Sequence, residues 1–177
     1  VRKKLDKLAP EIKEHAAAFV GQEAEAIAYF RSISTLSIPS VRIRCHGDYH
    51  LGQVLWTGKD FIIVDFEGEP LRSLGERRLK RSPLRDTAGV LRSFPSAPGT
   101  RRPPEVALSG AFLRSYITTA RSLMPNLLPE DPKVLRGVLN GCLLEKALYE
   151  VSYELNSRPD WAGIPIRAVR QILASGV

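Results

Sequence analysis

Residues 46–53 read His46-Gly47-Asp48-Tyr49-His50-Leu51-Gly52-Gln53, and a second aspartate, Asp65, closes the next apolar run. Both carboxylates lie beside β-rich apolar segments, where charge must be compensated. Three kinds of chemistry suit these residue types. The first is structural: Asp48 accepts backbone hydrogen bonds in a glycine loop, and Asp65 caps a turn. The second is metal-assisted hydrolysis, because His46-x-Asp48-x-His50 offers alternate side chains at ligand-like spacing. That site needs a further ligand, and the third histidine, His15, belongs to a different kind of segment. The third is phosphoryl transfer. It needs a carboxylate near the acceptor hydroxyl, a side-chain oxygen for Mg²⁺ five residues on, and an aspartate for Mg²⁺ after the following hairpin. Asp48, Gln53 and Asp65 stand at those positions.

The elements that must hold them follow from periodicity. Apolar residues recur every three or four positions from 3 to 34, as on a helix, with Pro10 breaking or restarting it. Val41-Arg42-Ile43-Arg44-Cys45 alternates, which predicts a half-buried strand. Val54-Leu55-Trp56 and Phe61-Ile62-Ile63-Val64 predict a hairpin across Thr57-Gly58-Lys59-Asp60. The second run is apolar throughout, so burial on both faces is expected. Ser82-Pro83 predicts a helix start, with the helix running from 84 to 94. Four prolines and a glycine between 95 and 104 predict a loop without helix. Helices are expected at 105–123, at 131–156 and in the tail at 166–173. The fold class is therefore α+β, mostly α, with helices around a small hairpin and a polar loop.

Composition narrows the function classes. The chain of 177 residues is 44% hydrophobic and 25% charged, as an ordinary globular domain is. No run approaches the roughly 18 apolar residues that a membrane span needs. The basic N-terminus has no apolar stretch behind it, so no signal peptide is expected. Two cysteines outside any CxxC pair predict reduced thiols and a cytoplasmic setting. The net charge of +7 is concentrated at Arg72, Arg77, Arg78, Lys80, Arg81 and Arg85. That run lacks the aromatics that stack bases, so no nucleic-acid partner is expected. A basic rim beside a site that handles polyphosphate accounts for the same charge.

The Asp-to-amide spacing matches the protein-kinase catalytic loop H-R-D-x-x-x-x-N, and Asp65-Phe66-Glu67-Gly68 stands where D-F-G would. Residues 46–55 resemble the catalytic loop of the aminoglycoside-phosphotransferase-like small-molecule kinases. Asp65-Phe66-Glu67-Gly68-Glu69-Pro70, residues 76–86, Leu144-Glu145-Lys146-Ala147-Leu148-Tyr149-Glu150 and Arg158-Pro159-Asp160-Trp161 are similar to maltokinases, which also occur fused behind trehalose synthase. The resemblance implies a protein-kinase-like C-terminal lobe over residues 1–177 and the partners ATP, Mg²⁺ and maltose. It implies transfer of the γ-phosphate to the sugar's anomeric hydroxyl. Asp48 would be the base, His46 would brace its loop, and Asp86 would pin the loop backbone. Gln53 and Asp65 would hold Mg²⁺. His50, Glu67, Lys146, Tyr149, Tyr153, Glu154 and Arg158 would contact the sugar, with core packing the alternative for the tyrosines. Residues 95–104 depart from the family pattern. Nothing before Val41 reads as a sheet and no Gly-rich phosphate loop is present, so the nucleotide-covering lobe is expected to be missing from this chain. A non-catalytic lobe and a kinase for another hydroxyl acceptor are the alternatives.

Overall fold

The computed structural model describes residues 10–94 and 102–175. Its elements in chain order are α1 (Pro10–Gly21), α2 (Glu23–Ser34), β1 (Val54–Trp56), β2 (Phe61–Ile63), α3 (Leu74–Arg78), α4 (Leu84–Ser93), α5 (Arg102–Leu123), α6 (Pro132–Ser157) and α7 (Gly163–Ala174). The chain divides into two compact units. One runs up to Ser37 and resumes at Arg136; the other is Ile38–Leu135. Among the described residues no helix is long and apolar enough to cross a membrane.

The first unit is helical. Pro10 is the first residue of α1, where its missing N–H costs nothing. The long N-terminal periodicity is interrupted at Gln22, directly after Gly21, and α2 restarts at Glu23. Ala16 packs with Val151, Leu155, Ala162 and Ile166. Tyr29 packs with Leu144, Ala147, Ala168, Val169 and Leu173. Leu144, Ala147, Val151 and Leu155 on α6, and Ile166, Val169 and Leu173 on α7, recur at three- and four-residue steps, so each helix buries one face. Asp131 Oδ1 accepts from Lys133 N–H (2.7 Å) and so caps the start of α6.

The second unit holds the polar loop. β1 and β2 pair antiparallel, with Val54 opposite Ile63, Leu55 opposite Ile62 and Trp56 opposite Phe61. Thr57 closes the turn, since its N–H donates to Asp60 O (2.9 Å) and its Oγ1 accepts from Asp60 N–H (3.0 Å). Leu84, Ala88 and Val90 of α4 are buried, and Phe94 meets Phe112 of α5 edge-on at 5.8 Å between ring centroids.

Several expectations need correction. Val41–Cys45 makes no strand. A single antiparallel bridge joins Ile43 to Arg81, because the extended chain meets a partner at one residue only. Phe61, Ile62 and Ile63 are exposed by 63%, 53% and 40%, so the all-apolar run is not buried on both faces. Among the described residues no second layer covers it. Arg102, Pro103 and Pro104 open α5 instead of lying in a loop. Prolines in a first helical turn lose no hydrogen bond, so a proline pair there marks a start as well as a break. α3 interrupts the basic run. It is fixed by a capping box in which Ser73 Oγ accepts from Glu76 N–H and Glu76 Oε2 accepts from Ser73 N–H.

Candidate functional site

The loop at residues 46–51 lies along one face of α4. Asp86, in the first turn of α4, accepts from the N–H of His46 (2.7 Å, Oδ2) and of Gly47 (2.9 Å, Oδ1). One turn on, Gly89 faces the Tyr49 carbonyl: a Cβ at Gly89 would lie 2.3 Å from that oxygen. A further turn on, Ser93 Oγ accepts from Leu51 N–H (3.1 Å) while donating to Val90 O (2.7 Å). Positions 86, 89 and 93 share a helix face by their spacing. The helix thus carries the loop at three points with an anion, a missing side chain and a hydroxyl.

His46 ties the loop to the strand end. It is buried, and its Nε2 lies 2.8 Å from Val64 O while its Nδ1 accepts from Asp48 N–H (3.4 Å). A carbonyl can only accept, so the ring proton sits on Nε2 and the lone pair on Nδ1. Phe66 and Tyr49 flank the ring at centroid distances of 4.7 and 5.4 Å. His46 therefore positions Asp48 and does not present a nitrogen to solvent. His50 Nδ1 accepts from Gly52 N–H (3.0 Å) and caps the short 3-10 turn Leu51–Gln53. With those ring nitrogens engaged by backbone, His46-x-Asp48-x-His50 is not arranged as a ligand set. Among the described residues there is no group of three or more His, Cys, Asp or Glu that could hold a metal ion.

Gln53 and Asp65 meet. The ladder extends one bond past the strands, with Val64 N–H donating to Gln53 O (3.0 Å), and Gln53 Nε2 then donates to Asp65 Oδ2 (2.7 Å). Asp65 adopts φ of +63°, a left-handed conformation uncommon outside glycine, in which aspartate is among the residues best tolerated. A strained aspartate at a strand end is a recurrent mark of a functional turn. Gly47, at φ +90°, packs against the same turn: a Cβ there would stand 3.2 Å from Gly68 Cα. Asp48 and Asp65 are thus joined through His46, which touches the backbone next to each.

The turn continues into a buried ion cluster. Glu69 is 1% exposed and its Oε2 accepts from Arg72 Nε (2.5 Å) and Arg85 Nη2 (3.1 Å). Such a buried carboxylate persists because it is paired. Glu67 is exposed, and its carbonyl accepts from Arg77 Nη1 (3.5 Å).

Lys146, Tyr149, Tyr153, Glu154 and Arg158 lie in the other unit. Lys146 Nζ sits 5.1 Å from the Tyr149 ring centroid. Arg158 forms a two-pronged contact with Glu154 (3.0 and 2.7 Å) and lies over the rings of Tyr153 and Trp161. Trp161 is 52% exposed.

Sequence reasoning missed Gly89 and Ser93. Their signal is a glycine and a serine at i+3 and i+7 from Asp86, which only the approach of the loop makes meaningful.

Cys45 borders this site. Its thiol lies 3.5 Å from Ser82 O, and burial, then the Asp86 carboxylate, push it up to about 11, against the nearby arginines. The folded value lies above the ordinary 9.0, so the protonated thiol contributes stability that is whole below pH 9 and is lost as pH rises through about 11. Alkylation of Cys45 by iodoacetamide, followed by peptide mass spectrometry, is expected to stay slow at pH 8 and to accelerate towards pH 11. A midpoint near the ordinary thiol value would contradict the packing around it.

No family model matches the chain. A glucosamine kinase of Mycolicibacterium smegmatis is 28% identical over 143 residues, covering 74% of this chain and 34% of that protein. A glucosamine kinase of Streptacidiphilus jiangxiensis is 23% identical over 180 residues, covering 92% of this chain and 40% of that protein. The chain therefore spans between a third and two fifths of the length of these curated relatives. Among solved structures, a glucosamine kinase in complex with glucosamine, ADP and inorganic phosphate matches with a TM-score of 0.74 at 22% identity, covering 98% of this chain and 46% of that one. A second crystal form of glucosamine kinase gives 0.73 at 21% identity, with 98% and 45% covered. The mostly helical α+β fold is shared with the matched portion of those structures.

Proposed function

We propose that this chain carries the acceptor-activating and metal-binding part of an ATP-dependent sugar kinase. The observation that carries the reading is the contact of Gln53 with Asp65 beside a loop, bearing Asp48, that Asp86 holds by two backbone N–H groups. Its further support is that the curated relatives are glucosamine kinases.

In this reading Asp48 accepts the proton of the sugar hydroxyl as that oxygen attacks the γ-phosphorus, and the bond from the γ-phosphorus to the β–γ bridging oxygen breaks, so that ADP leaves with that oxygen. His46 keeps Asp48 in place. Gln53 and Asp65 offer oxygen donors of the kind a hard divalent cation takes, so they would hold Mg²⁺. The Gln53 amide can turn its oxygen to the ion by rotation about its last torsion. Bound Mg²⁺ would neutralise charge on the transferring phosphate. Lys146, Tyr149, Tyr153, Glu154 and Arg158 are proposed, separately, as sugar contacts, since aromatic faces with charged hydrogen-bonders suit a pyranose.

The acceptor has two sources of argument. The motifs at 65–70 and 144–150 resemble maltokinases and point to maltose. The curated relatives point to glucosamine. An assay of ATP with Mg²⁺ and glucosamine, maltose, an aminoglycoside or choline separates them. Phosphate appearing on either sugar is expected. The chain alone is expected to turn over slowly, because it carries no Gly-rich phosphate loop, and the same panel is run on its whole reading frame. Transfer to the non-sugar acceptors alone would overturn the sugar assignment. No transfer in either form, together with no Mn²⁺-induced broadening of the Gln53 and Asp65 resonances, would leave a non-catalytic lobe.

A further inference from the structure

A concavity lined in part by Gly47 and Gly68 has a volume of about 310 Å³ including its open mouth. Its charged wall is Arg72, Arg77, Arg81, Arg85, Glu69 and Glu76. Four arginines against two glutamates leave an excess of two positive charges.

The arginines are engaged unequally. Arg72 and Arg85 share the Glu69 carboxylate. Arg77 donates to the carbonyls of Arg72, Glu67 and Pro70. The main chain of Arg81 is fixed by reciprocal bonds with Ile43 (2.9 Å each), so only its side chain is left to move. Among the described residues the Arg81 guanidinium has no hydrogen-bonded or ion-paired partner, and its charge acts at a distance on Glu76. A guanidinium in an electropositive, half-enclosed hollow is suited to two-pronged recognition of a planar or tetrahedral oxyanion.

We propose that this hollow is a binding site for a phosphate-class oxyanion, gripped by Arg81 with support from Arg72 and Arg77. Gly47 and Gly68, whose backbones approach each other closely, line it together with the arginines. Occupancy would hold the Gly47 loop and the Asp65–Gly68 turn together. The site does not depend on the phosphotransfer reading, and its test measures no turnover.

The test is isothermal titration of the full chain with inorganic phosphate, chloride keeping the ionic strength constant. Saturable binding at one site is expected. Arg81→Gln should weaken it about tenfold or more, as the loss of a charge-assisted pair does. Lys80→Gln removes the same charge from an exposed neighbour outside the hollow and should leave binding nearly unchanged. Glu69→Gln, which removes the internal competitor for two of the arginines, should tighten it. Competition by glucose 6-phosphate would show that the mouth admits a phosphate monoester, and its failure would restrict the site to the free ion. The proposal is overturned by absence of saturable binding, by binding that Arg81→Gln leaves intact, or by an equal loss in Lys80→Gln. Should Arg81→Gln not fold, Glu69→Gln decides, and unchanged or weakened binding in that variant overturns the site.

Discussion

Asp48→Asn is expected to lower phosphoryl transfer by roughly 10²–10⁴-fold, the range that a positioned general base supplies, with the thermal midpoint nearly unchanged. The expectation of intact folding comes from how the loop is held. Among its anchors are the N–H groups of His46 and Gly47 on Asp86, the Asp48 N–H on His46 Nδ1 and the Leu51 N–H on Ser93. Each of these bonds is donated by backbone at 46–51, so the asparagine variant keeps them, and its amide, of the same shape, still offers an accepting oxygen. What the amide lacks is the capacity to take a proton. The measurement is kcat at saturating ATP and sugar in the form of the enzyme that turns over, beside a thermal melt. A variant retaining activity within about tenfold would remove Asp48 from the base role, since so small a loss lies below what base catalysis contributes. A parallel fall in midpoint would instead make Asp48 a structural acceptor.

The part of this site that was legible in the sequence is the local part. Gln53 stands five positions after Asp48, and a hairpin of fixed register separates Gln53 from Asp65, so the contact of Gln53 with Asp65 follows from the pairing of Val54 with Ile63. The α-rich class followed from the three-to-four periodicity, and the helix starts at Pro132 and Leu84 from their capping residues. What escaped depends on distant approach. Gly89 in isolation is a weak spot in a helix; its role appears only when Tyr49, forty positions earlier, lies on it. The exposure of Phe61–Ile63 shows another limit. An apolar run records that a surface is made to be covered, but not by what. The α3 cap was within reach, because Ser73 and Glu76 stand at capping-box spacing. A dense run of arginines drew attention to its charge instead.

Gly89→Ala tests that distant approach, and a loss of about 2–4 kcal/mol is expected, set by the bonds that must stretch. The added Cβ would lie 2.3 Å from the Tyr49 oxygen and 3.4 Å from its carbonyl carbon, and both are backbone atoms that cannot rotate aside. Either α4 or the loop has to move. α4 is held by buried Leu84 and Ala88 on its opposite face. The loop is held on both sides of Tyr49, by Asp86 before it and Ser93 after it. Hydrogen bonds to a charged group contribute about 1.5–3 kcal/mol each, so disturbing the Asp86 pair outweighs the gain of up to about 1 kcal/mol that alanine brings to a helix interior. For a chain of this size the balance corresponds to a fall in midpoint of roughly 5–15 °C. Gly110→Ala on α5 supplies the opposite sign. Nothing lies within 4 Å of a Cβ built there, so the propensity gain should appear unopposed and the midpoint should rise. If thermal melts show the two variants shifting in the same direction, the loop does not rest on α4. The alignment of Asp48 would then have to come from His46 and the strand end alone.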